Sequence, residues 1–283
     1  MRPIPFLLAL CLVRGPLPVH AQDQPGYFRD RGPGIPTSMF GTYVRHGEWL
    51  VMPFYEHTRD RNREYQPKEF GLGADIDYRG RFHSDAAQVF VTYGVNDWLA
   101  LEFEAAYLSA TLHKSPADNS AVPPVIREKG ITDIEGQVRA RLMRETTGRP
   151  ELFFYAEVVA PTQTSKLIIS EPDFDLKPGL GVIKGFGFGT LTGRINLEWN
   201  HEERKLDLGE LSVEYLRRIS NSLVVFLDFE GGETGALDEW ETVQGIHLDL
   251  TRSISLRFDN SIGISSKASD WVPQVGVMFS FGP

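Results

Sequence analysis

From about residue 47 onward the chain repeats one pattern, in which apolar and polar side chains alternate with period two and turn signals part the stretches. Residues 98–108, WLALEFEAAYL, are typical: Leu99, Leu101, Phe103, Ala105 and Tyr107 stand on one parity, with Glu102 and Glu104 between them. That spacing predicts a strand with one face in an apolar medium and the other elsewhere. Twelve such strands are predicted, over 47–58, 81–93, 98–111, 131–144, 151–161, 176–186, 190–203, 207–219, 222–232, 239–250, 253–264 and 272–281. Most are longer than the roughly 5–6 residues usual in soluble sheets and match the roughly 9–11 that a tilted membrane-crossing strand needs. A soluble sandwich alternates too, so periodicity alone does not separate the two.

The connections add a second regularity. Short turns fall at Gly94–Asp97, Glu145–Pro150, Gly187–Gly189, Ser220–Asn221 and Thr251–Arg252, and they alternate with connections at 59–80, 112–130, 162–175, 204–206, 233–238 and 265–271. The second set is longer except at 204–206 and at 233–238, which equals the six residues of Glu145–Pro150. Short turns on one side and long loops on the other are the habit of outer-membrane barrels. The even strand number leaves both chain ends on the short-turn side. Aromatic residues stand near strand ends, with Tyr93, Trp98, Phe188 and Phe281 at the short-turn end and Tyr107, Trp199, Trp240 and Trp271 toward the loops. Two such girdles mark membrane–water boundaries. The expected fold is an all-β, transmembrane, antiparallel up-and-down barrel of about twelve strands.

Parity then assigns a lumen. Glu102, Glu104, Glu135, Arg139, Arg141, Glu157, Arg194, Glu198, Glu214, Asp228, Arg257 and Asp259 are expected to line it. Asp133, Glu210, Glu230, Asp249 and Arg218 share that face, so acids exceed bases. In a water-filled pore such a lining concentrates cations and repels anions. Paired instead, for example Arg139 and Arg141 against Glu102 and Glu104, the same groups would fill the interior. About eight strands give a filled barrel and about 16–18 an open one, and twelve lies between. Small residues of the last strands (Gly245, Ser255, Ser261, Gly263, Gly276, Ser280) are expected to leave local space.

The chain begins MRPIPFLLALCLVRGPLPVHAQDQ, with Arg2, an apolar stretch from Phe6 to Val13, and Val19-His20-Ala21 ahead of Gln22. This reads as a secretory signal peptide over residues 1–21. The one cysteine, Cys11, lies within it, so a mature chain has no thiol for a disulfide, a thiolate metal site or a nucleophile. Residues 22–46, rich in Gly and Pro, read as a periplasmic lead-in, and 47–283 as the barrel. The net charge is -9 with no basic stripe, which argues against a nucleic-acid partner. No apolar run reaches the length of a transmembrane helix.

The stretches VTYGVNDWLALEFEAAY, GELSVEYLRRISNSLVVFLDFEGGE and PQVGVMFSF resemble the proteobacterial outer-membrane barrel family labelled for the meta-pathway of phenol degradation. The likeness spans roughly 47–281. It implies an outer-membrane location, passage of small solutes with aromatic compounds among them, and assembly through a C-terminal strand recognised by the barrel assembly machinery. Family barrels commonly end on the aromatic residue, whereas here Gly282 and Pro283 follow Phe281. The partners so implied are outer-membrane lipid, lipopolysaccharide and small solutes; no cofactor is implied.

Other chemistry is thinner. His247, Asp249 and Ser255 hold the inventory of a hydrolase triad without a surrounding motif, which leaves a barrel enzyme as a distant third reading behind a channel and a filled barrel acting through its loops. His57, His83, His113 and His201 lack metal-ligand spacing. RDRNR, residues 59–63, is the locally basic stretch and suits phosphate, although such runs are commonly only solvated. GFGFG, 185–189, reads as a hairpin turn.

Overall fold

The computed structural model describes residues 25–73, 75–170, 174–200, 204–232 and 239–282. The signal-peptide expectation and His201 lie outside these residues. Twelve strands close into one antiparallel barrel: β3 (Trp49–Tyr65), β4 (Tyr78–Gly94), β5 (Leu99–His113), β6 (Val125–Met143), β7 (Glu151–Ala160), β8 (Asp175–Phe186), β9 (Gly189–Asn200), β10 (Lys205–Arg218), β11 (Leu223–Gly232), β12 (Glu239–Asp249), β13 (Ile254–Gly263) and β14 (Val272–Phe281). Each strand pairs with its sequence neighbour, and β14 pairs with β3 to shut the ring, so no edge is left unpaired. A minor hairpin, β1 (Ile35–Pro36) with β2 (Tyr43–Val44), precedes them.

The strands agree with the periodic pattern in number and order. The largest departures are at the long-loop end, where β3 and β4 pair out to Tyr65 opposite Tyr78, and β5 and β6 out to His113 opposite Val125. Pro53 has no N–H to donate, and the ladder to β14 skips it and Met52. The two-residue turn Gly187–Phe188 joins β8 to β9 as the GFGFG stretch suggested.

Outward parity carries the apolar belt. Leu101, Phe103, Val138, Leu142, Leu180, Val182, Ile195, Leu197, Leu227, Phe229, Phe258 and Val275 are all exposed. A soluble protein seldom leaves so continuous an apolar wall in water, and a closed ring satisfies its own backbone in lipid. Stacked rings bound the belt: Trp49 on Tyr93 and Phe186 on Phe188 at the short-turn end, Phe229 on Trp240 toward the loops.

Inward parity changes character along the barrel axis. At the short-turn end it is largely apolar, with Leu50, Met52, Phe54, Phe90, Phe153, Ile183, Leu216, Val224 and Phe226 buried. Residues 31–45, from the segment read as a lead-in, lie against these side chains. Ile35 and Val44 pack with Leu50 and Ala100; Met39 reaches Met52, Phe54 and Phe90; Phe40 and Tyr43 cover Leu216, Val224 and Phe226. The short-turn half of the lumen is therefore a core built by the chain's own N-terminal segment.

Candidate functional site

The segment is tied to the wall by buried charges. Arg31 donates to Glu145 and Glu151, both at 3.0 Å, and all three side chains are 0% exposed. Glu151 also pairs with Arg141 at 3.0 Å. Arg141 in turn donates to the carbonyl of Pro33 at 2.9 Å and to that of Gly34. Burial disfavours the Arg31 cation, but the charge of Glu151 and the bonds Arg31 donates to both carboxylates outweigh it, so its pKa is raised further. Breaking one member of such a buried set strands charge in a low-dielectric interior.

The tip of the segment, residues 37–42, is held by four strands. Ser38 N–H donates to Glu102 at 2.9 Å, and Gly41 N–H donates to Glu214 at 2.6 Å. Arg194 donates to the Ser38 carbonyl at 3.0 Å, and Arg257 to that of Phe40 at 2.7 Å. Gly41 has φ +69°, and a Cβ there would meet Leu216 Cδ1 at 3.1 Å, so the backbone conformation and the close approach both favour glycine.

These contacts place many of the expected lumen residues. Glu102, Arg139, Arg141, Arg194, Glu214, Arg257 and Asp259 face inward at or below the tip. Glu102 pairs with Arg139 at 3.1 Å, as the sequence suggested, whereas Arg141 serves Glu151 and the segment rather than Glu104. Arg257 pairs with Asp259 on its own strand. Asp228 stands directly opposite Glu214, at the level where the apolar lining ends. The space expected beside the glycines of the last strands is taken: Phe226 and Asp259 crowd Gly245, Phe54 and Met52 crowd Gly276, and loop carbonyls cover Gly263.

Above the tip, the inward face turns acidic. A cavity of about 650 Å³ lies there, lined by Glu135, Glu157, Glu198, Glu210, Glu230 and Glu241, with Asp133, Asp175 and Glu239 toward the loops. Lys177 is the one basic side chain among the described lining residues, 3.8 Å from Glu198. None of those lining residues is aromatic. Glu104 and Glu135 are direct cross-strand partners, as are Glu230 and Glu241. Like charges directly opposite one another destabilise a sheet unless water or a cation intervenes. Amides relieve part of the crowding: Gln137 donates to Glu157 at 2.6 Å and Gln274 to Glu56 at 2.7 Å.

The triad inventory is not assembled. Ser255 donates to Asp249 at 2.8 Å, while His247, cross-strand from Arg257, packs its ring edge-on against Phe226. The histidines of the loop end also divide: His57 contacts Asp85 at 2.9 Å, and the His83 and His113 rings lie 6.2 Å apart.

The N-terminal insertion was the feature sequence reasoning missed. Its signal lay elsewhere in the chain, in lumen-parity positions that turn apolar at one end of several strands, as in Leu50-Met52-Phe54 and Val224-Phe226.

The closed ring and its apolar wall define a membrane-spanning β-barrel. No family model matches the chain, and no curated protein is similar to it by sequence. Among solved structures it is similar to an outer-membrane channel from Pseudomonas putida F1, at 13% identity and TM-score 0.60, over 87% of this chain and 100% of that one. It is also similar to the translocator domain of the autotransporter NalP from Neisseria meningitidis, at 12% identity and TM-score 0.46, over 83% of this chain and 88% of that one. The toluene transporter TodX of P. putida follows at 9% identity and TM-score 0.41, with 83% and 88% covered. The first likeness is one of fold.

Proposed function

We propose that the protein is an outer-membrane channel for small solutes, entered through an acidic vestibule and constricted by its own N-terminal segment. The observation that carries this reading is the 650 Å³ acidic cavity on the loop side of the tip at Ser38–Gly41. Carboxylates set in low-dielectric walls raise the local concentration of cations. The expected lumen set therefore divides, with Glu104, Glu135, Glu157 and Glu198 screening solutes and Glu102, Arg139, Arg141, Arg194, Glu214 and Arg257 holding the constriction. Asp228 and Asp259 stand near the boundary between the two.

The resemblance to the phenol meta-pathway family adds small aromatic compounds as candidate cargo. The lining favours cationic or strongly polar solutes over neutral rings, because carboxylates and no aromatic side chains face the cavity among the described residues. The same reading places the long loops outside the cell, the leader at residues 1–21, and lipopolysaccharide and the assembly machinery among the partners.

A second reading has its own support. The buried ties of Arg31 favour a filled barrel whose loops carry the function. Conductance of the refolded protein in a planar bilayer under a salt gradient separates the two. A channel gives steady current with a cation-directed reversal potential that shrinks when Glu135 and Glu157 are changed to Gln. A folded barrel that stays silent supports the filled reading.

A further inference from the structure

The outer wall of β3 to β6 changes abruptly just beyond the belt. Tyr55, Ala87, Tyr107 and Ile131 form one outward row across the four strands. The next row toward the loops is His57, Asp85, Ser109 and Lys129, and the one beyond it is Arg59, His83, Thr111 and Arg127. Arg81 opposite His113 continues the series. Arg59, Arg81, Arg127 and Lys129 are exposed. A depression of about 360 Å³ lies among His57, Arg59, Arg61, Arg81, His83 and His113.

The carboxylates of this patch are already engaged. Asp85 accepts from Tyr55 at 2.5 Å and contacts His57, Asp270 accepts from Arg61 at 2.8 Å, and Asp60 accepts from the Asn62 N–H at 2.7 Å. Among the described residues no carboxylate pairs with Arg59, Arg81 or Arg127. Cations brought together by strand register repel one another unless an anion lies between them. Arginine forks on a rigid sheet match phosphate oxygens two at a time. Their height, directly against the loop-end margin of the belt, is where lipid headgroups lie, and basic clusters at that level bind them.

We propose that this face is a docking site for a phosphate-bearing lipid headgroup of the surrounding leaflet, with Arg59, Arg81 and Arg127 holding the phosphates. The proposal rests on the outer-membrane placement above, with the long loops outward, but not on conduction.

The test uses the refolded full barrel in neutral detergent, titrated with lipid A and read by native mass spectrometry. Wild type is expected to retain lipid A, and dephosphorylated lipid A about tenfold less, the loss of at least one hydrogen bond to a charged group. The triple variant Arg59→Gln/Arg81→Gln/Arg127→Gln is expected to lose about tenfold or more, whereas Arg144→Gln/Arg217→Gln, at the short-turn end, leaves retention unchanged. Single variants Arg81→Gln and Arg127→Gln, each expected to weaken retention, serve if the triple fails to fold. Inorganic phosphate at equal concentration is expected not to displace the lipid. Equal retention by wild type and the arginine variants, equal retention of dephosphorylated lipid A, or displacement by inorganic phosphate would each overturn the proposal. Because no current is read, a barrel that binds lipid A but stays silent contradicts the channel reading alone.

Discussion

The two halves of the lumen follow opposite rules although the same strands build both. In β9, Thr192 and Arg194 face the N-terminal segment, while Glu198 a few residues on lines the acidic cavity. In β11, Val224 and Phe226 give way to Asp228 and Glu230. The short-turn half ties buried charges such as Arg31, Arg141 and Arg139 to carboxylates and packs apolar groups together, as a soluble core does. The long-loop half sets glutamates opposite glutamates and leaves room between them. Interior filling is thus not decided by strand number alone: one twelve-strand ring is packed at the short-turn end and hollow above it, and at the loop-side ends of β3 to β6 a second apolar cluster around Tyr65, Leu112 and Ile126 fills it again.

The largest effect that should break this contrast is on the anchor. Arg31→Ala leaves Glu145 and Glu151 short of a buried cation, a loss of about 3–5 kcal/mol where such pairs are broken. Urea unfolding of the variant should show it. Under the channel reading the open-state current should also rise, because the segment is less firmly held. Next in size, Gly41→Ala forces a side chain into left-handed backbone beside Leu216 and should cost about 1–2 kcal/mol, read as a lower thermal midpoint. In the other half the sign reverses. Glu135→Gln removes one of two facing carboxylates, Glu104 being its partner, and should leave stability unchanged or slightly raised by about 0.2–1 kcal/mol. The variant is compared with wild type in the same urea titration.

The smallest effect lies at the junction of segment and barrel, at Glu48. Burial pushes its carboxyl up, but bonds from Arg45 and Ser280 outweigh that and hold it below the usual carboxylate range. A depressed folded pKa contributes stability that is present above the unfolded value, near 4.3. That stability fades as pH falls through the lower folded pKa. Glu48→Gln should flatten the acid limb of a thermal-midpoint profile below about pH 4.5 and leave the neutral plateau a little lower.

Much of this fold was written locally. Period-two runs, turn signals and their alternating lengths are properties of short stretches, so strand number, order and faces could be read without a partner in view. Strand ends at the loops could not. Arg59–Glu64 is polar on both faces beyond the belt, and only its ladder to β4 makes it a strand. The Arg139–Glu102 pair was legible because both residues lie on adjacent strands of known parity. Arg31 with Glu145 and Glu151 was not, since it joins residues more than a hundred positions apart through a segment with no periodicity of its own. The apolar lumen positions were the available clue, because side chains such as Phe226 facing a barrel interior require something to cover them.

The most direct measurement is thiol accessibility, since residues 22–283 contain no cysteine. Single substitutions Thr192→Cys and Glu198→Cys share one face of β9 but lie in opposite halves of the lumen. In the refolded barrel, a small charged thiol reagent should modify Glu198→Cys readily and Thr192→Cys at least about tenfold more slowly, since reaction at the buried site requires the segment to open. Adding Arg31→Ala should speed the second reaction and leave the first alone. Equal rates at both positions in the otherwise unchanged chain would contradict a lumen filled at one end and hollow at the other.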